Sequence, residues 1–307
     1  MKLRKRKSCP SCNKSISGLE KVIEGGLSNK TKDKELSDVW MGIGKTKHFS
    51  YLVCNHCGTL FNYEYPSDKL LNKLYGDMPA NMEAEVSSDN QIKNQKSYSR
   101  KIFNALKKIK VEFKNFSFIE IGADRGFLIR ELNKLLDKKF INCVGIEPNN
   151  VVKKDLHKNL SNASINYKLL DDIKHINLKD NGNYNLSACI HILDHCFEPL
   201  KMLKNIGKTL ERNGILLIVV HNPQSSLAKL LGKKWPAYCS QHPQLFTKKG
   251  LKEISKLSGF EIINKGRTMN YFALSMITNF LGIKIGFADK INLKLPLGNM
   301  FYLLRKI

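Results

Sequence analysis

Beyond Phe116 the chain alternates strand-like and helix-like runs, and this alternation constrains the fold more than any other feature. The strand candidates are FSFIEIG, FINCVGIE, SINYKLL, YNLSACIHI, GILLIVVH, FEIINKG and NMFYLLRK. Between them lie RGFLIRELNKLL, NNVVKKDLHKNL, EPLKMLKNIGKTL and TKKGLKEISKLS, all helical in pattern. Such alternation predicts an α/β fold with a mostly parallel, Rossmann-like sheet and helices on both faces. Ligands of these sheets bind beyond the carboxyl ends of the strands. The residues just after each strand are therefore the ones to read for function.

Upstream stand two cysteine pairs, Cys9-Pro10-Ser11-Cys12 and Cys54-Asn55-His56-Cys57, the second followed by Gly58. A two-residue spacer lets both sulfurs of a pair turn toward one ion. Cys9, Cys12, Cys54 and Cys57 are accordingly candidate ligands of a single tetrahedral Zn²⁺. A redox dithiol is the competing reading, and no strand–helix context supports it. Cys143, Cys189, Cys196 and Cys239 read as packing residues, the last two placed to lie near the active site.

The formal charge is +24, and only 8 of the 51 basic residues are arginine. Lysine spread along the chain attracts polyanions without specifying one. A polyanionic small substrate, or no specific partner for the charge, is expected over nucleic acid. No stretch reaches about 18 uninterrupted apolar residues, so no membrane-spanning helix is expected. The start, MKLRKRKS, lacks the apolar segment of a secretory signal, and a cytoplasmic protein is the expectation.

Which ligand the first strand–turn–helix holds can be tested against spacing. A dinucleotide loop needs glycine two and five residues after Gly122, where Asp124 and Phe127 stand. What remains is Glu120, Gly122 and Gly126 in an E-x-G-x-x-x-G arrangement. It resembles the first motif of class I S-adenosylmethionine-dependent methyltransferases, and later segments agree in order. Glu147 ends the second strand candidate 25 residues after Gly122, and Asp171-Asp172 end the third. The resemblance implies that Glu120, Gly122, Ala123, Asp124 and Gly126 approach the methionine part of the cofactor. It also implies that Glu147 accepts the ribose hydroxyls, that Asp171 or Asp172 meets adenine, and that His191 borders the cofactor. The family loop usually has glycine where Asp124 stands; sugar C-methyltransferases often carry Asn-Asp there. A cysteine-pair module followed by L-F-x-x-x-x-P-x-x-x-x-L-x-x-L-Y narrows the resemblance to bacterial methyltransferases of sugar and surface-polysaccharide biosynthesis.

Polar groups gather after strands four and five and in the loop beyond. In Ile190-His191-Ile192-Leu193-Asp194-His195 three of them fall at i, i+3 and i+4, a shared face if that turn is helical. By resemblance His195 follows the acid of a V-L-E-H-like motif, and His242 falls in an H-L-x-L-F-like segment. His195 and His242 are the leading candidates for a general base, followed by His191 and His221. The competing readings are a structural histidine and a divalent-metal site at His191, Asp194 and His195. The expected division is a zinc-binding module over 1–66, a helical linker or lid over 67–110 and the methyltransferase domain over 111–307. Within these, 80–96 reads as a polar linker and about 269–298 as a helical insertion over the substrate pocket. The rival for that insertion is an interfacial segment touching membrane or a lipid-linked sugar. The expected reaction is methyl transfer to a sugar or nucleotide sugar, on oxygen or carbon. The rivals are an RNA or protein methyltransferase and a non-catalytic zinc-ribbon protein that binds nucleic acid.

Overall fold

Phe116–Ile121 (β6) is buried along its whole length, as a strand covered on both faces must be. Phe116 and Phe118 point to one face of the sheet, Ile119 and Ile121 to the other. In the computed structural model, residues 2–19, 21–40, 47–76, 88–109, 116–137, 140–170, 184–275, 278, 288, 291–296 and 298–307 are described. Asp171 and Asp172, the expected adenine contacts, lie outside them.

After β6 come α4 (Phe127–Leu135), β7 (Phe140–Ile146), α5 (Asn150–Asn162), β8 (Tyr167–Leu170) and β9 (Tyr184–Ile190). Then follow α6 (Pro199–Thr209), β10 (Leu210–His221), α7 (Ser226–Leu231), β11 (Gln244–Leu245), α8 (Lys248–Leu257) and β12 (Phe260–Arg267). The chain closes with β13 (Asn270–Ala273), β14 (Asn292–Leu295) and β15 (Asn299–Lys306). The seven-stranded sheet runs β12-β15-β10-β9-β6-β7-β8, with β15 antiparallel to both its neighbours and the pairs from β10 to β8 parallel. This is the Rossmann-like architecture that the alternation predicts. The order reverses between β6 and β9, so their carboxyl ends splay apart there and open a crevice. One face packs on α4, α5 and the helix that precedes β6 through Ile102, Leu106, Leu128 and Leu156; the other packs on α6 and α8 through Leu203, Ile206, Leu251 and Ile254.

The first third holds β1 (Leu3–Lys5), β2 (Lys21–Ile23), α1 (Asp33–Trp40), β3 (Tyr51–Val53), β4 (Leu60–Asn62), β5 (Glu64–Pro66), α2 (Asp68–Gly76) and α3 (Ser88–Lys108). α3 begins well before the apolar pattern does, so 88–96, expected as linker, is helix. Its polar side chains are used there: Asn94 Oδ1 accepts the Tyr271 N–H at 2.6 Å and Asn90 donates to Asn292 at 2.5 Å. Of the expected helical insertion, the described ends β13 and β14 form an antiparallel ribbon, Leu274, Ser275 and Thr278 are helical, and most of the centre lies outside the described residues.

β11 does not pair within the large sheet. It joins β4 in a four-stranded sheet, β11-β4-β3-β2, with Gln244 opposite Phe61. The cysteine-bearing segment is thereby stitched to the loop that carries His242. Beside this seam Trp40, Phe49 and Tyr65 form a cluster with Phe197, which lies just past β9, and Tyr65 stacks on Phe197 at 6.0 Å.

Candidate active site

At the carboxyl end of β6 the chain turns through Gly122, with φ 72°, and Gly126, with φ 72°, which opens α4. A side chain at Gly122 would meet Ile192 Cδ1 at 2.1 Å. The turn is pinned to β7 because the N–H groups of Gly122 and Ala123 both donate to the Ile146 carbonyl, at 2.8 and 3.0 Å. Glu147 is tied to the same loop. Its Oε2 accepts the Asp124 N–H at 2.9 Å and its Oε1 accepts the Asn149 N–H at 2.8 Å. The residues expected after strands one and two are thus one physical unit.

Three carboxyl groups meet in this unit. Burial, then the neighbouring charges of Asp124 and Glu147, push Glu120 well above the usual carboxylate range. Burial and the Glu147 charge raise Asp124 to about 7. Burial also raises Glu147, against the two backbone N–H groups that favour its charged form. Glu120 Oε2 is buried with no hydrogen-bond partner. In a chain of net charge +24, this is a site short of positive charge and of one donor.

Beyond β9 and β10 the chemistry changes from carboxyl to imidazole. His191 has φ 53° and its N–H donates to the Val219 carbonyl at 2.8 Å, so the turn after β9 is not helical. The shared helical face expected for His191, Asp194 and His195 is therefore absent. The sheet brings the groups together instead. Asp194 is fully buried, and its Oδ2 accepts both the His221 backbone N–H at 2.9 Å and His221 Nδ1–H at 2.8 Å. Ring centroids lie 4.6 Å apart for His191–His221, 4.7 Å for His221–His242 and 4.7 Å for His195–His242. His221, which the sequence ranks with His191 behind His195 and His242, lies between His191 and His242.

The rings are held in defined states. His242 Nδ1–H donates to the Ala237 carbonyl at 2.7 Å, which leaves the lone pair on Nε2. His195 Nδ1 lies 3.1 Å from the Tyr75 hydroxyl. Burial lowers His195 to about 4 and, with the His195 and His221 charges, holds His242 well below the ordinary imidazole range. Burial lowers His191 as well. For Asp194 burial acts to raise the pKa, but the His191 and His221 imidazoles beside it outweigh that and hold the group well below the usual carboxylate range. His191, His195 and His242 are therefore neutral near pH 7, hydrogen-bonding rings whose protonation burial opposes.

Several supporting groups carry no signal in the sequence. Arg6, nearly fully buried, donates to the carbonyls of Asn62 and Phe197 at 3.1 and 2.5 Å and to Gln244 Oε1 at 2.6 Å. Gln244 in turn donates through Nε2 to the carbonyls of Leu193 and Cys196. Arg6 also lies over the Phe197 ring at 4.0 Å. The turn that presents Asp194 and His195 is thus clamped from the cysteine-bearing segment. Cys239 Sγ stands 3.3 Å from His242 Nδ1, near the site as expected.

Cys9, Cys12, Cys54 and Cys57 converge, all buried, with Cys9–Cys57 sulfurs 3.6 Å apart and Cys12–Cys54 sulfurs 3.5 Å apart. These distances are far too long for disulfides. They are close to the ~3.8 Å edge of a tetrahedron of sulfurs at about 2.3 Å from a zinc ion. Thr247 Oγ1 donates to the Cys57 carbonyl at 2.6 Å and accepts the Gly250 N–H at 3.0 Å, fixing the knuckle to the start of α8.

Residues 91–265, more than half of the chain, match the methyltransferase-domain family. Among curated proteins, the tRNA U34 carboxymethyltransferase of Helicobacter hepaticus is 23% identical over 153 residues, 47% of this chain and 49% of that one. The tRNA U34 carboxymethyltransferase of Campylobacter jejuni subsp. doylei is 28% identical over 122 residues, 38% of this chain and 39% of that one. The chain thus spans half or less of the length of these relatives. Among solved structures, magnesium protoporphyrin IX methyltransferase from Synechocystis PCC 6803, with bound SAH, is 13% identical with a TM-score of 0.49, covering 77% of this chain and 93% of that one. An S-adenosylmethionine-dependent methyltransferase from Clostridium acetobutylicum ATCC 824 is 12% identical with a TM-score of 0.49, covering 69% and 92%. No helix among the described residues is long and apolar enough to cross a membrane. With its family match over more than half of its length and its Rossmann-like sheet of seven strands, the chain belongs to the methyltransferase-domain family.

Proposed function

We propose that the protein transfers a methyl group to a hydroxyl or an acidic carbon of a small polar acceptor of the sugar or nucleotide-sugar class. One observation carries the reading: four imidazoles around a buried carboxylate adjoin the carboxyl-lined loop, with Ile192 packed on Gly122 between them. Bound S-adenosylmethionine supplies an electrophilic methyl group on a cationic sulfur. The residues fit it: Gly122 to Gly126 give close backbone approach, and Glu120, Asp124 and Glu147 supply carboxyl groups that lack a cation. Glu147, already fixed by two N–H groups, presents its remaining lone pairs to the ribose hydroxyls. Ala123 and His191 border the same crevice.

His242 Nε2 is the lone pair we assign to the acceptor's proton, with His195 and His191 beside it. Removing that proton leaves the acceptor's electron pair free to form the new bond to carbon. Burial keeps these rings neutral and the site dry, and a hydroxyl or carbon acid needs a base where an amine does not. The cysteine segment, read as a zinc-binding module over 1–66, holds Zn²⁺ in four thiolates and braces the acceptor side through Arg6 and β11. The segment at 67–110 then links it to the methyltransferase domain at 111–307.

A second reading, methyl transfer to RNA, is favoured by the names of the curated relatives and by the net charge of +24. Calorimetry with S-adenosylmethionine and S-adenosylhomocysteine tests the cofactor half on wild type and Glu147→Ala. Transfer of labelled methyl then tests the acceptor, offered in parallel as a nucleotide-sugar mixture and as bulk tRNA. Label in salt-sensitive tRNA alone replaces the sugar reading. Absence of cofactor binding by folded protein removes both.

A further inference from the structure

We propose that His191, Asp194 and His221 form a second metal centre, separate from the four cysteines, which binds one divalent transition-metal ion beside the acceptor. The three offer ligand atoms that lie within 4.8 Å of one another. His191 Nδ1 stands 4.0 Å from Asp194 Oδ2, and the ion would take the place of the proton that His221 Nδ1 donates to the same oxygen at 2.8 Å. Two imidazoles and one carboxylate suit borderline divalent ions such as Zn²⁺, Mn²⁺ or Fe²⁺ and leave positions open for another ligand.

The second observation is what hydrogen bonding leaves undone. Asp194 is fully buried, yet its Oδ1 has no hydrogen-bond partner, and neither has His191 Nδ1. A buried carboxylate oxygen and a ring nitrogen of the same cluster are thus both unsatisfied. One cation answers both. His191 Nε2 is 3.4 Å from Asn299 Nδ2; turning that carboxamide so that its oxygen accepts Nε2–H leaves the Nδ1 lone pair for the ion. Asn299 lines a cavity of about 70 Å³ with Asn222, Ser225 and Arg267, so a small cavity adjoins the residue next to the His191 ring. An ion there supplies Lewis acidity to an acceptor hydroxyl and draws its proton toward neutral pH.

This inference deepens the methyl-transfer reading and rests on it for its purpose, though not for its existence. The test is titration of the full-length, chelator-stripped protein with Co²⁺, followed by absorption spectroscopy. Two equivalents are expected: one with strong thiolate-to-cobalt charge transfer, the other with only weak ligand-field bands. His221→Ala and Asp194→Asn are expected to abolish the second and keep the first. The charge-transfer band that remains also reports that each variant has folded. Saturation at one equivalent with a purely thiolate spectrum overturns the proposal and leaves Asp194–His221 as a proton-holding pair. Cofactor calorimetry on the same samples separates the two readings. Intact binding without a second cobalt sinks the metal centre alone; a second cobalt without cofactor binding keeps the centre and sinks its role in methyl transfer.

Discussion

The two halves of the crevice solve opposite electrostatic problems. Beyond β6 and β7 stand three carboxyl groups whose pKa values are all raised, a place that a cation would relieve. Beyond β9 and β10 stand four histidines around one carboxylate; the pKa values of three, His191, His195 and His242, are lowered, so these rings stay neutral. Burial is the leading cause on both sides, and it works against charge in each. On the proposed reading the first half receives the cofactor's positive charge, and the second keeps its imidazoles neutral so that a ring lone pair meets the acceptor's proton only as methyl transfer proceeds. Methyl transfer from a sulfonium needs both within one crevice, and Ile192 against Gly122 is where they touch.

The sharpest way to break this division is to remove the base side and watch the cofactor side. His242→Gln and His195→Gln are each expected to lower kcat by about 10²–10⁴-fold, the usual range for a general base. Calorimetric affinity for S-adenosylmethionine should stay within a few-fold of wild type. Parallel loss of cofactor affinity would show that the halves are not separate. Next in size is the clamp. Arg6→Met leaves the Phe197 carbonyl and Gln244 Oε1 without their donor, and the protein should lose about 3 kcal/mol or more in urea unfolding. Turnover should fall further than stability requires, because Gln244 then holds the Leu193 and Cys196 carbonyls less firmly. A smaller effect is expected from Glu147→Ala. Lost hydrogen bonds to a charged acceptor are worth about 1.5–3 kcal/mol, so cofactor affinity should weaken about 10- to 100-fold with the base side intact.

The two halves were also unequally legible. Glu120, Gly122, Gly126 and Glu147 sit at fixed distances from strand ends, and a strand–turn–helix is a local pattern that a single sequence displays. The cysteine pairs are local in the same way, and their four sulfurs do converge. The histidine cluster is not local. Its members follow β9, β10 and a loop that leaves the sheet to pair with β4, so only tertiary structure could rank His221 with them. Helical spacing misread His191 because the sheet holds it at positive φ. Arg6 was illegible for a related reason. It lies 238 residues from Gln244, and nothing in MKLRKRKS marks one basic residue as buried. α3 began early because Asn90 and Asn94 have partners across the fold, which polarity alone does not reveal.

Asp124 gives the subtlest separation of the two sides, because its charge should trade stability against cofactor binding. Its carboxyl is raised to about 7, from an ordinary value near 3.8. A group raised on folding contributes stability that is complete below its unfolded pKa and is lost as pH climbs through the folded one. Between about pH 4 and 7 the native protein therefore gives up that contribution, ending with an anion beside Glu147. A cationic cofactor reverses the sign, since it binds the ionised loop better, and affinity should rise several-fold from pH 6 to pH 8. Asp124→Asn keeps the positive φ that Asn tolerates and removes the charge. The variant should melt higher than wild type at pH 8 without cofactor, bind S-adenosylmethionine several-fold more weakly there, and lose the pH dependence. A variant that binds as tightly as wild type across that range would mean the loop recognises the cofactor by shape and hydrogen bonds alone. The contrast between a cation-seeking half and a half of neutral imidazoles would then rest on Glu120 and Glu147 only.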